Sequence, residues 1–256
     1  MRGFLFLSVF LLMFSLQGFA SPQSDLFAAA EQGNAAAIQA ALEAGADVNA
    51  YGYFGRTALM EAAWKGHTEA MQILINAGAD LNATDMMCST ALNYAAGEGH
   101  LEAVQILIKA DADINYQSDG ETFTALISAA REGHADVVRA LLDAGAQLEL
   151  NRYGKTALIY ASEKNGVDPL EVVQILIEAG ADVNARDDKY GGTALMRAAG
   201  AGQREIAMYL LEAGADANAK DEDGRTALMY AKENEHYDIV ELIYEAGGRS
   251  IMKDGN

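Results

Sequence analysis

The sequence predicts an all-α solenoid, a row of stacked helix–turn–helix units. Three observations predict it. One phrase recurs six times: "TALMEAAWKGH" begins at Thr57 and "TALNYAAGEGH" at Thr90, and the same opening returns at Thr124, Thr156, Thr193 and Thr226. The intervals are 33, 34, 32, 37 and 33 residues, and a fixed period of this size marks stacked supersecondary units. A second phrase keeps the same beat, as "AGADVNA" from Ala44 and from Ala179 and "AGADLNA" from Ala77. Between the phrases, apolar residues fall at helical spacing.

Each element of the unit follows from its residues. Thr57 can cap a first helix, because its hydroxyl can accept from an orphan amide. Leu59, Ala62 and Ala63 then lie at i, i+3 and i+4 on one face. Small Ala side chains let a neighbouring helix approach closely. Gly66-His67 breaks this helix, and a second one carries Ile73, Leu74 and Ile75. Gly78 ends it, as left-handed residues commonly do. Asp111 stands where this Gly is expected, and Asp tolerates that conformation better than most. The polar stretch "NATDMMCST" is an extended turn to the next Thr.

With its period, its Gly-His break and its AGADVN ending, the unit resembles the ankyrin repeat. That family's unit is a turn and two helices with a T-P-L-H-x-A phrase. Here Ala replaces the Pro in all six copies, and the His becomes Met60, Asn93, Ile127, Ile159, Met196 or Met229. These departures remove a helix-start Pro and a turn-bracing side chain. The resemblance implies about seven stacked ankyrin repeats, joined by β-hairpin-like turns.

"SDLFAAAEQGN" lacks the TAL phrase, yet Ser24, Leu26, Ala29, Ala30 and Gly33 stand 33 residues before Thr57, Leu59, Ala62, Ala63 and Gly66. It is a first unit without its leading turn. The units span about 22–52, 53–85, 86–119, 120–151, 152–188, 189–221 and 222–254, within an array over 21–256. The Thr156 unit holds three extra residues before its second helix, where Asp168-Pro169 supplies a cap and a first-position Pro.

The first twenty residues are different in kind. One Arg precedes the run Phe4 to Phe14, and Gly18 and Ala20 occupy small-residue cleavage positions. Residues 1–20 are expected to be a secretory signal peptide cleaved after Ala20. The eleven-residue run is shorter than the about 20 residues a membrane span needs, so no stable anchor is expected after cleavage. An exported array of this family implies a bacterial source and a periplasmic or secreted protein.

Formal net charge is −19 for the whole chain. A surface this acidic repels nucleic acid and anionic lipid. It either favours a partner with a basic patch or keeps a monomeric array soluble.

Candidate chemistry is sparse. His67, His100 and His134 occupy one place in successive units. Packed helices lie about 8–10 Å apart, whereas zinc ligands sit about 2 Å from the metal, so this ladder cannot converge. The ladder Asp47, Asp80, Asp113, Asp182 and Asp216 is expected to brace turns by bonding nearby amides. "DEDG" at Asp221 lacks the alternating ligands of a calcium loop. Cys88, the one cysteine, is expected in a turn at a Gly-like position. No phosphate loop, G-x-S-x-G phrase or zinc signature occurs. The expectation is no catalytic residue, no metal and no cofactor.

The invariant positions build the scaffold, so function must lie in what varies. The resemblance implies that turn tips and the ends of first helices line a concave binding surface. Carried over by register, the partner-binding candidates are Tyr53, Phe54, Arg56, Trp64, Lys65, Met86, Met87, Phe123, Tyr153 and Tyr190. Tyr and Trp are enriched at binding hot spots, and Met adapts to varied partners; the other reading is that these side chains pack over their own hairpins. Tyr53, Phe54, Trp64, Met86 and Met87 are expected to share one patch. The function expected is a non-catalytic protein-binding scaffold, supporting or restraining an exported enzyme. The alternatives are a secreted effector that binds a host protein and, behind it, an enzyme with an unrecognised site.

Overall fold

The computed structural model describes residues 21–117, 123–148, 154–163 and 169–247. The proposed signal peptide at 1–20, Tyr153, Asp168 and the extra residues of the Thr156 unit lie outside the described residues.

Fourteen α-helices form seven pairs among the described residues. The first helices of the pairs are α1 (Pro22–Gln32), α3 (Ala58–Trp64), α5 (Ala91–Gly97), α7 (Ala125–Glu132), α9 (Ala157–Ala161), α11 (Ala194–Ala201) and α13 (Ala227–Glu233). The second helices are α2 (Ala35–Glu43), α4 (Thr68–Asn76), α6 (Leu101–Lys109), α8 (Ala135–Asp143), α10 (Leu170–Glu178), α12 (Arg204–Glu212) and α14 (Tyr237–Glu245). Each pair packs on the next, first helix on first and second on second, so two layers run the length of the array.

The Thr caps explain where the first helices start. The hydroxyl of Thr57 accepts from the Met60 amide at 3.3 Å, and Thr90, Thr124, Thr156 and Thr193 do the same three residues ahead. Thr226 is the exception. Its hydroxyl is buried and makes no hydrogen bond, while its carbonyl accepts from the Met229 amide instead. The loss of the family's turn-bracing His is also less complete than its replacements suggest. Asn93 accepts from the Thr90 amide at 3.0 Å and donates to the Phe123 carbonyl at 2.6 Å, tying one turn to the next. Pro169 stands at the N-cap of α10, one position earlier than expected.

The core is the predicted stripe. Leu59, Ala62, Ala63, Leu92, Ala95, Ala96, Leu126, Ala129 and Ala130 are all buried between first helices. Leu74, Leu107, Leu141, Leu176 and Leu210 are their buried counterparts in the second layer. The Ala-rich first layer is the more closely packed of the two along most of the array. When one layer is spaced more tightly than the other, a stack bends toward the tighter one, which places the first helices on the inside of the curve.

Two ladders of side chains register the units. Asp47, Asp80, Asp113, Asp182 and Asp216 each accept from the amide two residues on, at 2.8–3.0 Å, as the turn-bracing expectation requires. The Asn that follows each reaches into the next unit. Asn49 accepts from the Asp80 amide at 2.7 Å and donates to the Gly78 carbonyl at 3.2 Å, and Asn184 treats Asp216 and Gly214 alike.

The Gly-His break is a contact between units rather than a feature of one. Gly66 has φ 69°, and a Cβ there would lie 2.8 Å from His100 Cγ of the next unit. Gly33 meets His67, Gly99 meets His134 and Gly202 meets His236 in the same way. The imidazole thus lies on the bare α-carbon of the preceding unit. His67, His100 and His134 each donate from Nε2 to a carbonyl of that unit, at 3.0–3.1 Å. A carbonyl can only accept, so the proton sits on Nε2.

Candidate protein-binding surface

Among the described residues, four interunit turns are fingers closed at the base by a backbone bond: Gly52 N–H to the Arg56 carbonyl at 2.7 Å, Asp85 N–H to the Ser89 carbonyl at 3.1 Å, Asp187 N–H to the Gly192 carbonyl at 3.0 Å and Asp221 N–H to the Arg225 carbonyl at 2.9 Å. The tip needs a left-handed residue. Gly55 takes φ 74°, and Cys88, 33 residues on, takes φ 57° in the Gly-like position expected of it. Phe54 also has φ 57°, which is uncommon for a bulky residue.

A buried Asp organises three of these fingers, whereas the first has Gly52 in its place. Asp85 accepts from the amides of Met87 and Ser89 at 2.8 and 2.9 Å and from the Tyr94 hydroxyl. Asp221 accepts from the amides of Asp223 and Arg225, from Arg225 Nε and from the Tyr230 hydroxyl. Asp187 replaces the Tyr with Arg197, whose Nη2 lies at 2.6 Å. Burial pushes the Tyr94 phenol up to about 12, and the hydrogen bond it gives Asp85 adds to this against the opposing charge of Arg56. Tyr230, paired with Asp221, is likewise pushed up to about 12, again chiefly by burial. For Asp187 and Asp221 burial acts in the opposite sense from the net result. Donors outweigh it, the Tyr190 amide and Arg197 for one and the Tyr230 hydroxyl and Arg225 amide for the other, and hold both carboxyls below their ordinary range. The sequence reading missed this network. Its signal was present: Asp85 and Asp221 stand five residues before the Thr, and Tyr94 and Tyr230 four after it.

The candidate binding residues separate into three groups. Four are at the first two tips: Tyr53 is 89% exposed, Phe54 68%, Met86 79% and Met87 71%. These tips are joined, since the Met86 amide donates to the Phe54 carbonyl at 3.0 Å, and the Tyr53 and Phe54 rings lie 6.2 Å apart. Tyr51, missed by the sequence reading, adds another exposed ring beside them.

Trp64, Arg56 and Lys65 form the second group, near the end of α3. Trp64 is half-buried, and its indole N–H donates to Glu98 at 3.0 Å. The Arg56 guanidinium lies 4.6 Å from the indole and 4.9 Å from the Tyr94 ring, and the Lys65 ammonium lies 4.0 Å from the indole. Arg56 Nε also donates to the Tyr94 hydroxyl at 3.1 Å. Trp64 is therefore engaged within the chain, by Arg56, Lys65 and Glu98. The remaining candidates lie further along. Phe123 packs edge-on against Tyr160 at 5.1 Å under the Arg131 guanidinium. Tyr190 is an exposed tip residue beside Lys189, and its carbonyl accepts from the Glu222 amide of the next finger.

Among the described residues, no group of three or more His, Cys, Asp or Glu is placed to hold a metal. None of their helices is long and apolar enough to cross a membrane.

Stacked helix pairs with projecting fingers define a repeat scaffold for binding proteins. The family model for ankyrin repeats matches in three copies, over residues 26–118, 92–187 and 186–254, and the chain belongs to the ankyrin-repeat family. A probable E3 ubiquitin-protein ligase, XBOS34 of Oryza sativa subsp. japonica, is 44% identical over 95 residues. That match takes in 37% of this chain and only 18% of the rice protein. The crystal structure of the human ASB11 ankyrin repeat domain superposes with a TM-score of 0.77 at 23% identity, covering 88% of this chain and 98% of that one. At that identity the likeness is one of fold.

Proposed function

We propose that the chain is a non-catalytic scaffold in the periplasm or outside the cell, where it grips a protein partner and so supports or restrains an exported enzyme. The observation that carries this reading is the pair of joined tips bearing Tyr53, Phe54, Met86 and Met87, four large apolar side chains left mostly in water. Apolar surface gathered at one place on a soluble protein marks an interaction site, and such side chains anchor interfaces. The net charge of −19 favours a partner with a basic patch over nucleic acid. The array acts as a monomer with no cofactor.

The test is chemical cross-linking in the native cells, comparing the unaltered chain with a Met86→Asp/Met87→Asp variant. Recovery of the cross-linked partner should fall at least tenfold, a change of about 1.4 kcal/mol, with the melting temperature unchanged. Equal recovery from both chains would remove the tips from the interface. Fractionation of the same cells tests the setting, since a chain found wholly in the cytoplasm overturns the exported role.

A further inference from the structure

The first-helix layer carries a groove of about 480 Å³ between α5 and α7, with Gly97 in its lining. One side chain is missing from its lining. Residues 64, 97 and 131 are equivalent positions in successive units, and Trp64 and Arg131 fill theirs while Gly97 does not. The backbone gives no reason for this glycine. Gly97 lies within α5 and is not among the residues with positive φ. A Cβ there would meet Ser128 Cβ at 3.8 Å, an ordinary contact. Gly66 and Gly99 are different, because there an imidazole occupies the place of the Cβ. A helical glycine that neither needs its conformation nor avoids a clash is destabilising relative to Ala. What it provides at 97 is space.

The walls of that space are suited to one kind of group. Tyr94 and Glu98 line it from α5 and its C-terminal end, and Ser128 and Glu132 line it from α7. Glu98 is exposed, yet its carboxylate is already oriented by the indole N–H of Trp64 at 3.0 Å. The cation on the opposite wall, Arg131, is turned to internal partners: its guanidinium lies 5.1 Å from the Phe123 ring and its Nε 3.2 Å from Glu132. Guanidinium against an aromatic ring is also a contact this array makes repeatedly, at Arg56 with Tyr94 and at Arg225 with Tyr230.

We propose that the groove over Gly97 seats an arginine side chain of the protein partner, its guanidinium paired with the Glu98 carboxylate. Charge complementarity selects the occupant: the chain has net charge −19, and a planar fork matches an oriented carboxylate better than a lysine ammonium does. The inference deepens the protein-binding reading and rests on it, and it names a partner contact separate from the apolar tips.

Trp64 is the one tryptophan of the chain and bonds to the groove wall, so its fluorescence reports occupancy. The full array is titrated with the blocked pentapeptide acetyl-Gly-Gly-Arg-Gly-Gly-amide and with the same peptide carrying uncharged citrulline. The arginine peptide should give a saturable change with a dissociation constant of about 1 mM or tighter. Citrulline, Gly97→Leu and Glu98→Gln should each weaken it at least tenfold. Gly97→Leu should melt at or above the temperature of the unaltered chain, so that lost binding is not lost fold. The proposal is overturned by no saturable change at peptide concentrations well above that constant, by equal titrations with arginine and citrulline, or by undiminished binding to Gly97→Leu. If cross-linking of the partner fails in the tip variant but persists in Gly97→Leu, the groove falls and the scaffold reading stands. If neither variant affects the partner, both fall.

Discussion

Gly66 and Gly78 offer a comparison that isolates the contact between imidazole and glycine. Both have left-handed backbones, with φ 69° and 87°. At Gly78 nothing lies within 4 Å of an added Cβ, whereas at Gly66 His100 Cγ and Nδ1 lie at 2.8 Å. Gly78→Ala should therefore carry only the conformational cost, about 1–2 kcal/mol. Gly66→Ala carries that cost and an overpacking cost of about 1–3 kcal/mol, because His100 is also held by its bond to the Trp64 carbonyl. Urea unfolding followed by circular dichroism, at unchanged m, measures both. Removing the ring should relieve the clash, so Gly66→Ala/His100→Ala should cost less than its two single changes together, by about 1 kcal/mol or more. Equal costs at the two glycines, or strict additivity in the double variant, would refute the contact as the reason for the Gly-His phrase.

Thr193→Val should lose the cap on α11 and cost about 1 kcal/mol, whereas Thr226→Val, which removes an unbonded buried hydroxyl, should lie within about 0.5 kcal/mol of the unaltered chain or stabilise it; a larger loss at 226 than at 193 counts against the capping account. Leu126→Ala, fully inside the first layer, should cost about 2–5 kcal/mol, and Met86→Ala at a tip no more than about 0.5 kcal/mol; the reverse order in urea would mean the register is misplaced. Folding keeps the phenols of Tyr94 and Tyr230 protonated to about 12 against an ordinary value of 10.0. In that interval the native chain binds more protons than the unfolded one, so stability holds below pH about 10 and declines as pH rises toward 12. Phenolate absorbance alongside the unfolding midpoint checks this, and a midpoint flat across that range in Tyr94 and Tyr230 but falling in their Phe variants would invert the sign.

The sequence by itself determined the repeat, the helix starts and the buried stripe. These are properties of residues close together in the chain: Thr57 caps an amide three residues away, Asp47 turns onto Asn49, and Leu59, Ala62 and Ala63 share a face by helical period alone. What the tertiary structure decided are the contacts between residues about 30 apart, which depend on how closely one unit lies on the next. Spacing alone did not reveal that His100 rests on Gly66, that Asn49 bonds Asp80, or that Trp64 is held by Arg56 and Glu98. The groove over Gly97 belongs to the same class. A missing side chain becomes a cavity only when the helices on either side keep their distance, and those two helices bury the small residues Ala95, Ala96, Ala129 and Ala130.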